Sequence, residues 1–241
     1  MLIQKLTQRQ RWIANITLGA YSFYYLVGDA LLKGYSLSTV RMGDGERTLL
    51  EDCTNAFATG TEDQLIESYD EAWRIRMGVN NITYKEVFNR MQRAGNECTH
   101  FGPSISGLTQ KSYELYDYFH TRDQYLDNFF VNIWSDDYKA DLFETAGSVL
   151  FIHRNRGTAD SMQKHTKRLF GEFPFKYIEL NRWEQTEDVI DEARACPHRL
   201  VIFSGGPASK YLSPAIAKNS GKVVLDIGNS IDRWTFAYHK T

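Results

Sequence analysis

Apolar positions in the last ninety residues recur as short runs separated by amphipathic stretches. Ser148–Ile152, Phe175–Leu180, Leu200–Ser204 and Lys222–Ile227 read as strands, and Ala159–Phe170, Thr186–Arg194 and Ala208–Asn219 as the helices between them. Strands alternating with helices need right-handed crossovers, and these generate a parallel sheet covered on both faces. The third and fourth runs, Leu200–Ser204 and Lys222–Ile227, are apolar almost without interruption, which places them at the centre of that sheet.

The first 147 residues are helical by pattern. Ile13, Ile16, Ala20, Tyr24, Val27 and Leu31 recur at steps of three and four, as on one face of an amphipathic helix packed on the domain. Thr61-x-x-Gln64, Thr83-x-x-Glu86 and Thr121-x-x-Gln124 have the form of capping boxes, and each predicts a helix start. One strand stands out, Leu37–Met42, running straight into Gly43-Asp44-Gly45-Glu46. The expected fold is α/β: a Rossmann-like, mostly parallel sheet with helices on both faces and a helix-rich N-terminal half. Residues 1–241 are expected to form one domain. It comprises an N-terminal helical segment (1–34), a strand with helical elaboration (35–147) and an alternating strand–helix half (148–241).

Composition narrows the function. The 241 residues carry a formal net charge of −2 with 42% hydrophobic and 24% charged residues, which is ordinary globular composition. A near-neutral chain does not offer the dominant basic surface that gripping nucleic acid requires. Cys53, Cys98 and Cys196 are widely spaced and odd in number, fitting neither a disulfide framework nor a zinc knuckle. They read as small buried hydrophobes and point to the cytoplasm. The uncharged stretch Trp12–Gly28 is seventeen residues long and contains Asn15, Thr17 and Ser22. It falls short of the ~20 apolar residues that span a bilayer, so any membrane association is expected to be peripheral. The neutral total conceals an uneven distribution. Asp44–Glu71 holds nine acidic residues and one basic, and His153–Phe170 holds five basic residues and one acidic.

Four loops that follow predicted strands carry candidate chemistry. In Arg41-Met-Gly-Asp-Gly-Glu46, an extended backbone would aim Asp44 and Glu46 to one side. Gly43 and Gly45 would let a ligand approach closely. Two hard oxygen ligands with room for phosphate oxygens suit Mg²⁺ or Mn²⁺. In Ser204-Gly-Gly-Pro-Ala-Ser-Lys210, a buried strand ending at Ser204 meets two glycines, Gly205 and Gly206, and Pro207, suited to a first helical position, leaving backbone N–H groups for a phosphate or base edge. Asp226-Ile-Gly228 closes the last strand, where Asp226 could serve a metal, a ribose or a base. Arg154 and Arg156, after the 148–152 strand, could pair with a diphosphate or an acidic acceptor. Open parallel sheets bind ligands at these carboxyl ends. The four loops together suggest a phosphorylated or nucleotide-linked ligand with a divalent metal.

These segments resemble the bacterial glycosyltransferases of the GT-D fold, a family first described as a domain of unknown function. The family has a strand ending in an Arg-Phe-Gly-Asp-Gly-Glu-like segment with an Asp-x-Glu motif, matched here by Arg41, Gly43, Asp44, Gly45 and Glu46. It also has a Gly-Pro turn into a helix and a strand ending in Asp-Ile-Gly-His, matched by Gly206-Pro207 and Asp226-Ile-Gly228. Two departures stand out. Asn229 replaces the family's histidine, and His153-Arg-Asn-Arg156 replaces a loop that is typically acidic. Residues 51–147 do not align.

The resemblance implies a metal-dependent transfer of a hexose from a nucleotide sugar, in the first instance a UDP-sugar, to a glycan or glycoprotein acceptor. Asp44 and Glu46 would hold the metal. Departure of a nucleoside diphosphate develops negative charge that a cation and helix-terminal N–H groups stabilise. If configuration inverts, a base must deprotonate the acceptor hydroxyl, with Asp226 and Asp232 as candidates. Two other readings stay open: a non-catalytic nucleotide- or phosphosugar-binding module, and another phosphate-handling transferase on the same scaffold. A phosphatase of the haloacid type would want Asp-x-Asp in place of Asp44-x-Glu46. Nucleic acid is not an expected partner, and self-association is left open.

Overall fold

The structure, a computed structural model, describes residues 8–103 and 115–234. In chain order the elements are α1 (Gln8–Asn15), β1 (Thr17–Leu18), α2 (Ala20–Lys33), β2 (Leu37–Met42), α3 (Asp44–Thr59), α4 (Glu71–Met77), α5 (Tyr84–Glu97) and β3 (His100–Pro103). They continue with β4 (Tyr125–Leu126), α6 (Phe130–Ile133), α7 (Asp136–Ala146), β5 (Val149–His153), α8 (Arg156–Phe170) and β6 (Phe175–Glu179). The last are α9 (Thr186–Ala195), β7 (Leu200–Ser204), α10 (Leu212–Ala217), β8 (Val223–Asp226) and α11 (Ile231–Trp234).

Six strands form one parallel sheet in the order β3-β2-β8-β7-β5-β6. β8 and β7 occupy the two middle places, as their unbroken apolar runs predict. Every residue of β5 and β8 is buried, whereas β6 lies at an edge and leaves Glu179 exposed. His-Phe-Gly-Pro has no strand-like pattern, and it becomes β3 through pairing with β2, Thr39 opposite His100. The sheet separates two apolar clusters. One contains Val40, Phe101, Ile152 and Phe203, and the other Phe23, Trp134, Phe143, Phe151 and Trp234. Each such side chain contributes about 1.5–3 kcal/mol by leaving water.

The N-terminal apolar face is as predicted, with Ile13, Ala20, Tyr24, Val27 and Leu31 buried. It is carried by two helices, however. The chain breaks at Thr17–Leu18, which pairs in parallel with Tyr125–Leu126, and Trp134 donates its indole N–H to the Ala20 carbonyl at 2.8 Å. Of the three capping boxes, only Thr83 opens a helix, its hydroxyl accepting the Glu86 N–H at 3.1 Å. Thr61–Gln64 closes as a turn and Gln124 leads into β4. In both places long-range pairing of the next residues, Ile66 N–H to the Ile82 carbonyl and β4 to β1, overrides the local signal. The predicted helix over 208–219 is a 3₁₀ turn, Pro207–Ser209, followed by the short α10. All three cysteines are buried and free, as expected. No helix among the described residues is long and apolar enough to cross a membrane.

Candidate active site

The loops after β2, β5, β6, β7 and β8 open on one side of the sheet, at the strands' carboxyl ends, around a cleft of 730 Å³. The C-terminal end of α4 closes it from above through Trp73, Arg76, Met77 and Gly78.

The floor is built where the β2–β8 ladder runs out. After Ser38 opposite Val224, side chains take over the pairing. The Thr39 hydroxyl accepts the Asp226 N–H at 2.8 Å, and the Asp226 carboxylate accepts the Arg41 N–H at 3.0 Å. Asp226 is 1% exposed. Its Oδ2 also takes the Lys210 ammonium at 2.8 Å and its Oδ1 the Gly228 N–H at 3.1 Å. Lys210, itself 4% exposed, reaches from the turn after β7 to Glu46 Oε1 at 3.1 Å. Glu46 Oε2 accepts the Gly43 N–H at 2.8 Å. The Arg41 guanidinium is spent on structure, donating to the Ile227 carbonyl at 2.6 Å and to Asn128 at 2.7 and 2.8 Å. Two cations and two carboxylates therefore meet with formal charges that cancel.

Their proton affinities reflect this pairing. Burial by itself would raise the Glu46 carboxyl, but Lys210 and the Gly43 N–H outweigh it and hold Glu46 below the usual carboxylate range. Burial would likewise lower Lys210, but Asp226 and Glu46 outweigh it and hold the ammonium above its ordinary value. Burial lowers Arg41, partly opposed by Asp226 and Glu46.

The rim differs in character. Arg76, Arg154 and Arg182 line the cleft and are exposed. Arg154 also donates to the Ile75 carbonyl at 3.0 Å, tying the β5 loop to α4. Trp73 stacks on Tyr69 at 3.8 Å, and Trp183 donates its indole N–H to the Asn80 carbonyl at 3.0 Å; both line the cleft as well. Counting Arg41 and Lys210, five cationic side chains line the cavity, against the carboxylates of Asp44 and Glu46.

The glycine turn after β7 is shaped by the chain above it. Gly206 has φ +76°, and a Cβ there would lie 2.2 Å from the Met77 carbonyl oxygen. Gly78, at φ +68°, faces the Gly205 carbonyl in return. Only glycine fits where two backbones come this close. Pro207 takes the first position of the 3₁₀ turn, as predicted. That turn spans three residues, so the expected anion-binding helix start is not formed there.

Of the residues singled out from sequence, Arg41, Gly43, Asp44, Gly45, Glu46, Arg154, Ser204, Gly205, Gly206 and Pro207 all line the cleft. Asp226 lies beneath it with both oxygens engaged, the geometry of an anchor and not of a base facing an acceptor. Arg156 lies in a neighbouring depression, its guanidinium over the Tyr177 ring and 3.6 Å from Asp160. Asp232 falls in α11, and its side chain lies outside the described part of the structure. Sequence reading missed Lys210, Trp73, Arg76, Asn128, Arg182 and Trp183. Lys210 closes the glycine motif and could have been found there. The rest come from stretches without a recognisable motif.

The expectation that Asp44 and Glu46 jointly hold a divalent cation does not fit the donor set. The motif is not extended: Gly43 caps α3, and Asp44 and Glu46 are its first and third residues. Positions i and i+2 on a helix do not face each other. Asp44 is exposed, while both Glu46 oxygens are engaged with Lys210 and Gly43. Among the described residues, no group of three or more His, Cys, Asp or Glu side chains converges to hold a metal.

Comparison with known proteins agrees with this architecture. Residues 140–234 match the GT-D-like family model, a GT-D fold-like domain. Three solved structures share the fold, each covering 90% of this chain. A selenomethionine structure of domain of unknown function 1792 is 18% identical, with 80% of that chain covered and a TM-score of 0.54. A second structure of that domain, described as having a distinct glycosyltransferase fold, is 17% identical with 80% covered and a TM-score of 0.51. A structure described as a new glycosyltransferase from Streptococcus sanguinis is 19% identical with 85% covered and a TM-score of 0.52. No protein of curated function matches the sequence. The chain has the GT-D-like glycosyltransferase fold.

Proposed function

We propose that this protein transfers a hexose from a nucleotide sugar, a UDP-sugar in the first instance, to a glycan or glycoprotein acceptor. The observation that carries this reading is the cleft at the sheet's carboxyl ends, on a glycosyltransferase fold, with five cationic side chains against two carboxylates. A sugar nucleotide brings a diphosphate that gains negative charge as the glycosyl bond breaks. Preorganised cations that meet this charge lower the barrier without reorganising. Arg76, Arg154 and Arg182 are the groups for the diphosphate, because they are exposed to the cavity and form a guanidinium set suited to phosphate oxygens. Trp73 and Trp183 offer aromatic surface for a nucleobase or sugar ring. With Asp226 held in the floor, Asp232 is the remaining sequence candidate for the base that deprotonates the acceptor. The location in this reading is cytoplasmic with at most peripheral membrane association, and Trp12, Tyr21 and Tyr25 of the N-terminal helices are exposed.

The reading is tested by incubating the protein with a panel of nucleotide sugars and measuring free nucleotide. Slow release from one donor, absent with heat-inactivated protein, is the expected result. Nucleotide binding without release from any donor would favour the non-catalytic module. No binding and no release would overturn the reading.

A further inference from the structure

We propose that Lys210 is this site's resident cation: its ammonium, held between Glu46 and Asp226, takes the carboxylate of Glu46 that the Asp44-x-Glu46 pair would otherwise give to a divalent ion, so that donor binding needs no metal. The inference deepens the nucleotide-sugar reading above and rests on it for the donor, though not for the metal.

Three observations carry it. First, Lys210 Nζ lies 2.8 Å from Asp226 Oδ2 and 3.1 Å from Glu46 Oε1, bridging the strand end of β8 and the first turn of α3. Both carboxylates are thereby committed, Asp226 also to the Arg41 and Gly228 N–H groups and Glu46 also to the Gly43 N–H. Second, the charges of Arg41, Lys210, Glu46 and Asp226 cancel, so these four groups offer a dication no net attraction, and the cleft's other carboxylate, Asp44, stands exposed at the start of α3. A metal entering beside Glu46 would have to displace an ammonium that is buried and doubly paired. Third, an ammonium has three donors, and the carboxylates take two. Lys210 lines the cleft, and in the proposed site its remaining N–H goes to a phosphate oxygen. Nearby Arg76, Arg154 and Arg182 supply further positive charge for a diphosphate.

The test uses Mn²⁺ and UDP as probes on the full-length protein. Mn²⁺ binding is followed by the paramagnetic resonance signal of the free ion, with and without UDP; UDP affinity is measured calorimetrically in EDTA and in Mn²⁺. Wild-type protein is expected to take up no stoichiometric Mn²⁺ on its own, and its UDP affinity should change less than about threefold between EDTA and Mn²⁺. Lys210→Met should lose at least tenfold in UDP affinity in EDTA and recover much of it with Mn²⁺, because Glu46 and Asp226 become available to the ion. A merely structural lysine would give loss without metal rescue. Should Lys210→Met not fold, the charge-balanced Lys210→Met/Asp226→Asn replaces it, with the same loss in EDTA expected. One Mn²⁺ bound by wild type and lost in Glu46→Gln would overturn the proposal, as would UDP binding that disappears in EDTA. If UDP binds under neither condition, the UDP-sugar reading fails, while the Mn²⁺ titration of the protein alone still decides the lysine's role.

Discussion

The positive charges of the cleft fall into two sets that differ in burial and hence in the work they can do. In the floor, Arg41 and Lys210 are enclosed and matched by Glu46 and Asp226. On the rim, Arg76, Arg154 and Arg182 stand in solvent. A buried ion pair is costly to break, because removing one partner strands the other in a poorly polarisable interior. A solvated arginine contributes little to stability, but its charge is available to a ligand. The floor therefore fixes where β2, β7 and β8 end relative to one another and holds Lys210 in place, and in the proposed reading the rim supplies further charge for an anionic donor. The same residue types produce two different functions through solvation alone.

The comparison breaks most visibly at Lys210. Lys210→Met leaves two carboxylates facing each other and should cost about 3–5 kcal/mol. At about 2–4 °C per kcal/mol for a chain of this size, thermal unfolding should show a Tm lowered by about 10 °C. A shift under 2 °C would mean the floor is not the buried, paired unit described. Next comes Gly206→Ala. With φ +76° and the Met77 carbonyl 2.2 Å from the new Cβ, the turn must move. A loss of roughly 2 kcal/mol is expected from strain of this kind, read by chemical denaturation.

Acid sharpens the contrast reversibly. The Glu46 carboxyl is held below its ordinary value of 4.5, so its stabilisation is complete above that pH and is lost as the pH falls through the lower folded value. Lys210, held above 10.5, contributes fully below that pH and loses its contribution as the pH rises through the higher folded value. His100 adds a separate acid slope. Burial, and then Arg122, pushes it from 6.5 to about 4, so the stability it confers when neutral declines between those values. The floor's part is accordingly the stability gap between wild type and Glu46→Gln, full above pH 4.5 and closing as the pH falls below it, followed by denaturant midpoints. Identical profiles for the two proteins would contradict it. The smallest effects on stability are expected at the rim. Arg76→Ala and Arg182→Ala should leave stability within about 0.5 kcal/mol, as for surface changes generally. Each should weaken UDP binding about fivefold at low salt, and less at 0.5 M salt, where screening takes over. Unchanged UDP affinity in both variants would remove the rim from donor binding.

The parts of this arrangement that could be read from sequence are those set by local chemistry. Unbroken apolar runs identified β7 and β8 as central, and Pro207 marked the turn after β7. Gly43-Asp-Gly-Glu46 and Asp226-Ile-Gly228 located the strand ends that meet at the site. What could not be read was set by partners far away in the chain. Glu46 appears as a metal ligand beside Asp44 until Lys210, 164 positions later, is seen to occupy it. Asp44 and Glu46 look convergent only if the motif is extended, and Gly43 starts a helix instead. Thr61 and Thr121 carry helix-start signals that long-range strand pairing overrides. Trp73 and Arg76 reach the cleft because Gly78 packs against Gly205, a backbone contact with no signature in either segment.

The central claim, a nucleotide-sugar transferase whose resident cation is a lysine, is tested most directly by nucleotide release from a UDP-sugar by wild-type protein in EDTA. Steady release at a rate within about threefold of that in Mn²⁺ is expected. Release that stops in EDTA and returns with Mn²⁺ would contradict the role of Lys210, and no release from any donor in either condition, by folded protein, would contradict the transferase itself.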